Sequence, residues 1–345
     1  MVEKAMTRAT GIGPLPEMLE AYAGSKLIRT VFADASLPQG VIHDRAHLIP
    51  VFSLARLYQA AAERTGDHAF GLAAGLEMSP GDYGKWVLYA SQAPTLADGI
   101  SRAIDTLHLH QTGSVMRLAP RKNGQVAWEY WHAGTSIQLF TQHSDHVVPG
   151  LIRFVQIFLG QDWRPAWVEV GYPSPNQAGH LEAATEAAWV FDRPSMAIVM
   201  SCEELRARRP QLARQPQKTP LLTFRDIVAE SEPEWSDTSL KKIASVISLR
   251  LLDGNSDIEG AAQALGTGIR KLQRCLEDQG LTYRSLLTHI RMQRAKSLIE
   301  ETDIPLKSLF SELGYSDPAH FTRAFRKHCG YPPSQFQKKV SIGRK

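Results

Sequence analysis

Apolar positions in the last third of the chain recur at spacings of three and four residues, and the pattern is written twice. The first copy runs over residues 258–280 and the second over residues 306–330, and each is interrupted by a Gly between two apolar segments. This spacing predicts amphipathic helices, and the internal Gly predicts a turn. We therefore predict two helix-turn-helix units, at about residues 258–279 and 306–329.

The two copies keep nearly the same internal register. The corresponding positions are Leu265-Gly266 with Leu313-Gly314, Leu272 with Phe321, Leu276 with Phe325, and Gly280 with Gly330. Ser256 with Glu259 three residues later predicts a capping box at the start of the first copy, and Asp317 before Pro318 predicts the start of the last helix.

One further apolar stripe lies between the copies and predicts a connecting helix. Its members are Leu286, Leu287, Ile290, Ala295, Leu298 and Ile299. A helix of about 16 residues would be about 25 Å long. That length approaches the roughly 34 Å repeat of B-DNA, so two adjacent major grooves come within reach.

The N-terminal pattern alternates between helical and strand periods, which predicts an α+β domain of mixed helices and antiparallel strands. The predicted helices are residues 51–76, 94–110 (capped by Thr95) and 151–159. The predicted strands are residues 114–119 and 125–132, joined at Asn123-Gly124 as a hairpin, and residues 167–170 and 196–200.

Length and charge divide the chain. Its 345 residues exceed what one hydrophobic core usually organises. Residues 240–345 contain 18 Lys plus Arg against 10 Asp plus Glu, a net charge of +8, so the whole-chain +4 leaves −4 for residues 1–239. Residues 206–239 are rich in charge, Pro and polar residues. We predict an N-terminal domain at 1–205, a linker at 206–239 and a basic, all-α domain at 240–345.

The second copy carries a specific motif. The run GYSDPAHFTRAFR at 314–326, followed by GYPPSQF at 330–336, resembles the signature of AraC/XylS-type transcription regulators. The N-terminal region resembles the arabinose-binding-like domain of one branch of that family, through Tyr83-Gly84, Trp163-Arg164-Pro165 and Phe191-Asp192-Arg193-Pro194. The resemblance implies effector sensing and dimerisation by the N-terminal domain, without identifying arabinose as the ligand.

Four polar residues of the first recognition helix are expected to face DNA. If Ile269, Leu272 and Leu276 face the core, the outward residues are Arg270, Lys271, Gln273 and Arg274. Arg binds guanine and Gln binds adenine through two hydrogen bonds each. The resemblance implies base contacts at Arg270, Gln273 and Arg274, while phosphate contact stays open for Lys271 and Arg274.

The second recognition helix presents fewer hydrogen-bonding groups. With Phe321 and Phe325 inward, the expected DNA-facing residues are Ala319, Thr322, Arg323 and Arg326. Pro318 and Ala319 suit thymine methyls or the DNA backbone, which leaves Arg323 as the strongest base-contacting candidate. We therefore hypothesise that the first unit discriminates sequence and that the second mainly positions the protein.

One strand offers a candidate effector pocket. Trp128, Tyr130 and His132 share one face of the strand at 125–132, and they are expected either to line a small-molecule pocket or to pack in the core. The histidines of this domain lack Cys or carboxylate partners at ligand spacing, so we expect no metal and no cofactor.

Several classes of protein are disfavoured. The chain lacks an 18-residue apolar run and the apolar core of a signal peptide, so we expect a cytoplasmic protein without membrane association. Cys202, Cys275 and Cys329 have no CxxC spacing, which favours reduced packing residues. A nucleophile elbow, phosphate loop or paired-acid motif is absent, so we expect no enzyme.

The resemblance implies a homodimeric regulator that binds double-stranded promoter DNA, responds to an unknown small-molecule effector and activates transcription with RNA polymerase. A repressor or an effector-independent regulator of the same family is the alternative. An enzyme or solute-binding protein with an incidental basic C-terminus is the rival from another class.

Overall fold

The computed structural model describes residues 5–45, 47–132, 141–175, 178–210, 221–231, 238–301 and 305–343. They form two compact units. The N-terminal unit comprises the described residues of Ala5–Leu37 and Ile49–Glu232, and the C-terminal unit those of Pro38–Leu48 and Pro233–Lys345. None of the helices in this part of the chain combines the length and apolar character needed to cross a bilayer.

The N-terminal unit is an α+β fold, as predicted. Its helices are α1 (Leu15–Ala23), α2 (Ser25–Asp34), α3 (Val51–Thr65), α4 (Phe70–Glu77), α5 (Lys85–Ser91), α6 (Leu96–His110), α7 (Thr141–Leu159), α8 (Ala178–Thr185) and α9 (Phe224–Ser231). The strands are β1 (Met6–Arg8), β2 (Leu48–Pro50, whose first residue is assigned to the C-terminal unit), β3 (Ser114–Pro120), β4 (Gln125–His132), β5 (Trp167–Glu169), β6 (Trp189–Val190) and β7 (Met196–Ser201).

The main sheet has the strand order β3-β4-β7-β5-β6. The predicted hairpin is confirmed, because β3 and β4 pair antiparallel around Asn123 and Gly124, whose φ angles are +58° and +70°. Helix α6 begins at the predicted cap, where the Thr95 hydroxyl accepts a hydrogen bond from the Asp98 amide at 3.2 Å. One face of the sheet forms the core with α6 and α7, and there the Trp128 and Phe154 rings lie 5.3 Å apart.

The other face of the sheet holds buried charge. The Arg121 guanidinium contacts a Glu129 carboxylate oxygen at 2.8 Å and a Glu169 oxygen at 2.6 Å. Burial alone would raise the pKa of Glu129, but hydrogen bonds from Arg121 and Arg117 outweigh it and hold that pKa below its ordinary value. The Glu129 carboxylate therefore stays ionised and paired with Arg121 at neutral pH.

The predicted helix at 51–76 is two helices. Helix α3 ends at Thr65 because Gly66 adopts a left-handed conformation, with φ of +73°. Helix α4 then crosses α7 at very short range. A Cβ at Gly71 or Gly75 would clash with the backbone carbonyls of α7, and the Gly71 amide donates to the Gln142 side chain at 2.8 Å. The two glycines thus fix the position of the first turns of α7.

The C-terminal unit is all-α, as predicted. Its helices are α10 (Thr238–Leu251), α11 (Ile258–Ala264), α12 (Ile269–Glu277), α13 (Tyr283–Glu301), α14 (Leu306–Glu312), α15 (Pro318–Cys329) and α16 (Pro333–Gly343). The segment 38–48 also belongs to this unit. The His47 Nε2 lies 3.0 Å from the Ser248 hydroxyl of α10, and Gly40 packs so closely on Leu252 that a side chain there would press on it.

Part of the predicted linker is structured. The Leu96 amide donates to the Ala207 carbonyl at 2.9 Å, so the chain leaving the sheet is tied to the start of α6. Helix α9 packs on α5 and α6 and buries Ile227. Residues 206–210 and α9 therefore belong to the N-terminal unit.

Candidate nucleic-acid interface

The first helix-turn-helix unit consists of α11 and α12. Helix α11 is capped by Asp257, whose carboxylate accepts from the Gly260 amide at 2.6 Å and also contacts the Arg250 guanidinium at 2.6 Å. The bond from Gly260, together with the charge of Arg250, holds the pKa of Asp257 below its ordinary value. The prediction of Ser256 as the cap is therefore wrong by one residue.

Helix α12 separates its apolar and polar residues cleanly. Leu272 and Leu276 are fully buried. Arg270, Lys271, Gln273 and Arg274 are all exposed. Ile269 is exposed rather than buried, because it is the first residue of the helix and lies beside the open turn. The expectation that Ile269 faces the core is wrong.

The second unit consists of α14 and α15, and α15 begins at the predicted cap. The Asp317 carboxylate accepts from the Ala319 amide at 2.8 Å. Phe321 and Phe325 are buried. The exposed side chains include all four predicted residues, Ala319, Thr322, Arg323 and Arg326.

The hydroxyl of Thr322 is already used within the helix. It donates to the Pro318 carbonyl at 2.8 Å, which leaves its methyl group available for an apolar contact. Arg323 and Arg326 are exposed charged side chains on the same helix. The second unit thus offers two cations and little neutral hydrogen-bonding capacity on the residues predicted to face DNA.

Helix α13 connects the two units and is longer than predicted. It has 19 residues, Tyr283–Glu301, which corresponds to a length of about 28 Å. Arg291 on this helix contacts both units. Its Nη2 donates to the Ser256 hydroxyl at 3.1 Å and to the Gly314 carbonyl at 3.1 Å, and its guanidinium lies 4.9 Å from the Tyr315 ring centre.

Arg291 is therefore a positioning residue that the search for DNA-facing side chains did not identify. Arg291 lies outside the apolar stripe of the connecting helix. Its contacts with Ser256 and Gly314, which are 35 and 23 residues away, depend on the tertiary fold. The contact ties the start of the first unit to the turn of the second, so it fixes how the two recognition helices are spaced.

The predicted pocket residues lie in a packed part of the N-terminal unit. Trp128 and Tyr130 belong to its main core. The Tyr130 hydroxyl lies 2.6 Å from the Gln111 amide nitrogen and 3.2 Å from His132 Nε2. Burial raises the pKa of Tyr130 to about 12 and lowers that of His132 to about 4. A cavity of about 440 Å³ in the same unit is lined by residues other than Trp128, Tyr130 and His132.

Two helix-turn-helix units on one connecting helix, following an α+β domain, define a helix-turn-helix DNA-binding protein. Residues 28–208 match the arabinose-binding domain of the AraC transcription regulator, and residues 261–339 match a helix-turn-helix domain. The chain belongs to the AraC family of transcription regulators, a family of DNA-binding proteins and not of enzymes.

Named relatives agree with this assignment. The chain is 27% identical over 179 residues to the ornithine utilization regulator of Pseudomonas aeruginosa, covering 52% of each protein. It is 29% identical over 118 residues to the arabinose operon regulatory protein of Escherichia coli, covering 34% of this chain and 40% of that protein. The chain thus spans about half the length or less of these two relatives.

Longer but more distant matches also occur. The regulator VirS of Mycobacterium tuberculosis is 22% identical over 337 residues, covering 94% of this chain and 97% of that protein. A crystal structure of the regulator CdpR from Pseudomonas aeruginosa covers 81% of this chain and 91% of its own, with 17% identity and a TM-score of 0.38.

Proposed function

We propose that this protein is an effector-responsive transcription activator that binds promoter DNA through both helix-turn-helix units, most of the sequence discrimination coming from α12. The observation that carries the proposal is the set of exposed polar side chains on α12, opposite the buried Leu272 and Leu276. An exposed Arg or Gln on a recognition helix is suited to pairing with a base edge.

The second unit supports this assignment by contrast. Its exposed Arg323 and Arg326 supply charge, but Ala319 has no polar group and the Thr322 hydroxyl is bound to its own helix. Contacts of this kind position a protein on the phosphate backbone and discriminate little between bases. Arg323 is the exception, with a base contact of its own.

The effector is a small molecule bound by the N-terminal unit, and the active species is a homodimer that acts with RNA polymerase. Support comes from the match of residues 28–208 to an arabinose-binding domain. One relative is named for ornithine utilization and another for the arabinose operon. Ornithine and arabinose are chemically different metabolites. Family membership therefore does not fix the effector.

The division of labour is tested by selecting a binding site with the full chain and measuring the affinity of variants for that site and for a scrambled site. Arg270→Ala should lose about 1–3 kcal/mol of discrimination between the two. Lys271→Ala is the matched control and should weaken both sites alike. If Arg270→Ala weakens both sites equally while Arg323→Ala relaxes the preference, the roles of the two units are reversed.

Activation is tested separately, by transcription from the selected promoter with purified RNA polymerase. An activator raises transcript yield when the protein is added, whereas a repressor lowers it. A yield that rises equally with and without cellular small molecules would show a regulator that needs no effector.

A further inference from the structure

The N-terminal unit contains a cavity of about 440 Å³ that no step of DNA binding uses. Its walls come from α3 (Gln59), the start of α7 (Gln142, Asp145), Tyr172 and α8 (His180). Small-molecule sites in proteins usually have volumes of about 300–1,000 Å³, so the cavity is large enough for a metabolite. The cavity of about 50 Å³ beside Trp128 is not.

Asp145 is the unusual residue in this wall. Its side chain is only 2% exposed, although a buried carboxylate normally needs a cationic partner. Among the described residues its one hydrogen bond comes from the Tyr172 hydroxyl, and no Lys or Arg pairs with it. Burial raises the pKa of Asp145 to about 7, and the bond from Tyr172 opposes this rise only in part.

Tyr172 serves as a fixed donor. Burial, together with the nearby Asp145, raises the pKa of the Tyr172 phenol, so the hydroxyl keeps its proton. It orients one carboxylate oxygen of Asp145 and leaves the other for a further partner. Asp145 is held in place from the other side by α7, whose preceding turn is anchored when Gln142 donates to the His68 carbonyl at 2.7 Å.

The lining residues also select by charge. No described residue of the cavity wall is a Lys or Arg, so an anionic effector would meet an uncompensated carboxylate. Gln59 is half-buried, and its amide nitrogen donates to the exposed Glu63 at 3.3 Å. The exposed His68 and His180 lie toward the solvent side. The single buried charge in this wall is acidic.

We propose that the cavity is the effector site and that it binds a small molecule with a protonated primary amine, whose ammonium group pairs with the Asp145 carboxylate. The inference rests on the proposed effector response and adds to it the chemical class of the effector. Such a ligand supplies the cation that the fold leaves out. The Gln59 amide nitrogen donates to Glu63 at 3.3 Å, so its carbonyl oxygen is the group that can accept a hydrogen bond from the rest of the molecule.

The pairing makes a prediction about pH. An ammonium ion binds the ionised form of Asp145, so ligand binding should tighten by about tenfold between pH 6 and pH 8 for a carboxyl group with a pKa of about 7. His68, His180 and Tyr172 are the other titratable groups of the wall. Any pH dependence of ligand binding that remains in Asp145→Asn is the contribution of groups other than Asp145.

The test uses the purified full chain and three probes of equal length, 1,4-diaminobutane, 1,4-butanediol and succinate. Thermal unfolding, monitored by tryptophan fluorescence, is one measurement, and titration calorimetry is the other. Both should show that the diamine binds and that the diol and succinate do not. Asp145→Asn should weaken it at least tenfold and flatten the pH dependence. Asp105→Asn, an exposed acid on α6, is the matched control and should leave binding unchanged.

Tyr172→Phe provides a second variant that keeps the shape of the cavity. Loss of the donor should raise the pH at which the diamine binds half-maximally. Binding of butanediol or succinate in place of the diamine, equal binding by Asp145→Asn, or binding of none of the three would overturn the proposal. The DNA-binding tests with Arg270→Ala are done without any probe, so their failure is a separate result.

Discussion

The two units of this protein place their polar groups in opposite ways. In the described C-terminal unit, every buried residue carries an apolar side chain, and the candidate DNA-binding charges are on the surface. The N-terminal unit buries an arginine, two glutamates, an aspartate and three histidines together with neutral polar residues. Buried polar groups lower stability unless they are partnered, so a unit that contains many of them is where a ligand-dependent function is expected.

The difference also separates two kinds of specificity. The C-terminal unit uses its core only to hold helices in place, and its chemistry depends on which side chains α12 and α15 present. The N-terminal unit places charged groups in its interior, where Glu129, Glu169 and Asp145 all lie. Changes of pH and of small solutes should therefore affect the N-terminal unit first.

The largest expected effect is a decrease in the folding stability of the N-terminal unit in mild acid. Burial lowers the pKa of His110 and of His146 to about 3 and that of His132 to about 4, and it lowers the pKa of His143 as well. Below pH 6.5 the unfolded chain binds protons that the folded unit excludes, so stability falls as pH decreases from about 6.5 toward 3–4. Each such histidine costs about 1.4 kcal/mol per pH unit.

Asp145 acts in the opposite direction, because its raised pKa favours the folded unit at low pH, but it is one group against four histidines. Six of the seven tryptophans lie between residues 86 and 189, so fluorescence reports the N-terminal unit. The free energy of unfolding obtained from this fluorescence transition should decrease between pH 7 and pH 5, with a measurable slope against pH. His110→Gln should reduce this slope, and the exposed His108→Gln should not. Equal slopes in these variants would refute the explanation.

The second effect tests the apolar core. Phe325→Ala removes a fully buried ring that packs on Phe321 and Phe336. It should lower the free energy of unfolding of the C-terminal unit by about 3–5 kcal/mol, with no change in the fluorescence transition. Circular dichroism in urea measures the loss. Lys327→Ala, which is exposed on the same helix, is the control, and a loss below 1 kcal/mol for Phe325→Ala would contradict the assigned packing.

The smallest effect concerns a single cap. Asp257→Ala removes the acceptor of the Gly260 amide and should destabilise the C-terminal unit by about 1 kcal/mol. Ser256→Ala is the natural comparison, because its hydroxyl bonds only to Arg291 among the described residues. Urea unfolding of the two variants should rank Asp257→Ala as the more damaging. The reverse order would restore the cap first predicted from the sequence.

The sequence predicted the C-terminal unit well because its signals are local. Leu272, Leu276, Phe321 and Phe325 set the buried faces, and the exposed side chains follow from helical geometry. The error at Ile269 arose at a helix end, where periodicity has no preceding turn to bury the residue. The N-cap was also predicted wrongly at a helix end. Ser256 and Asp257 are both good N-cap residues, and contacts in the folded chain decide between them.

The N-terminal unit was harder because its features depend on distant residues. Helix α7 was predicted only from Leu151 onward, yet it begins at Thr141 and passes through Pro149 without ending. The cavity combines Gln59, Asp145, Tyr172 and His180, which no spacing rule connects. Gly71 and Gly75 are four residues apart in sequence, but their close approach to α7 becomes visible only in the folded chain.

The segment 38–48 has a practical consequence for anyone who exchanges domains between such regulators. It precedes α3 in the chain, yet His47 contacts Ser248 of α10 and Gly40 packs on Leu252, directly after that helix. A cut placed only between the sensing and DNA-binding portions would graft α10 without the piece that covers it. Successful chimeras should therefore carry residues 38–48 along with the DNA-binding portion, as a two-segment transplant.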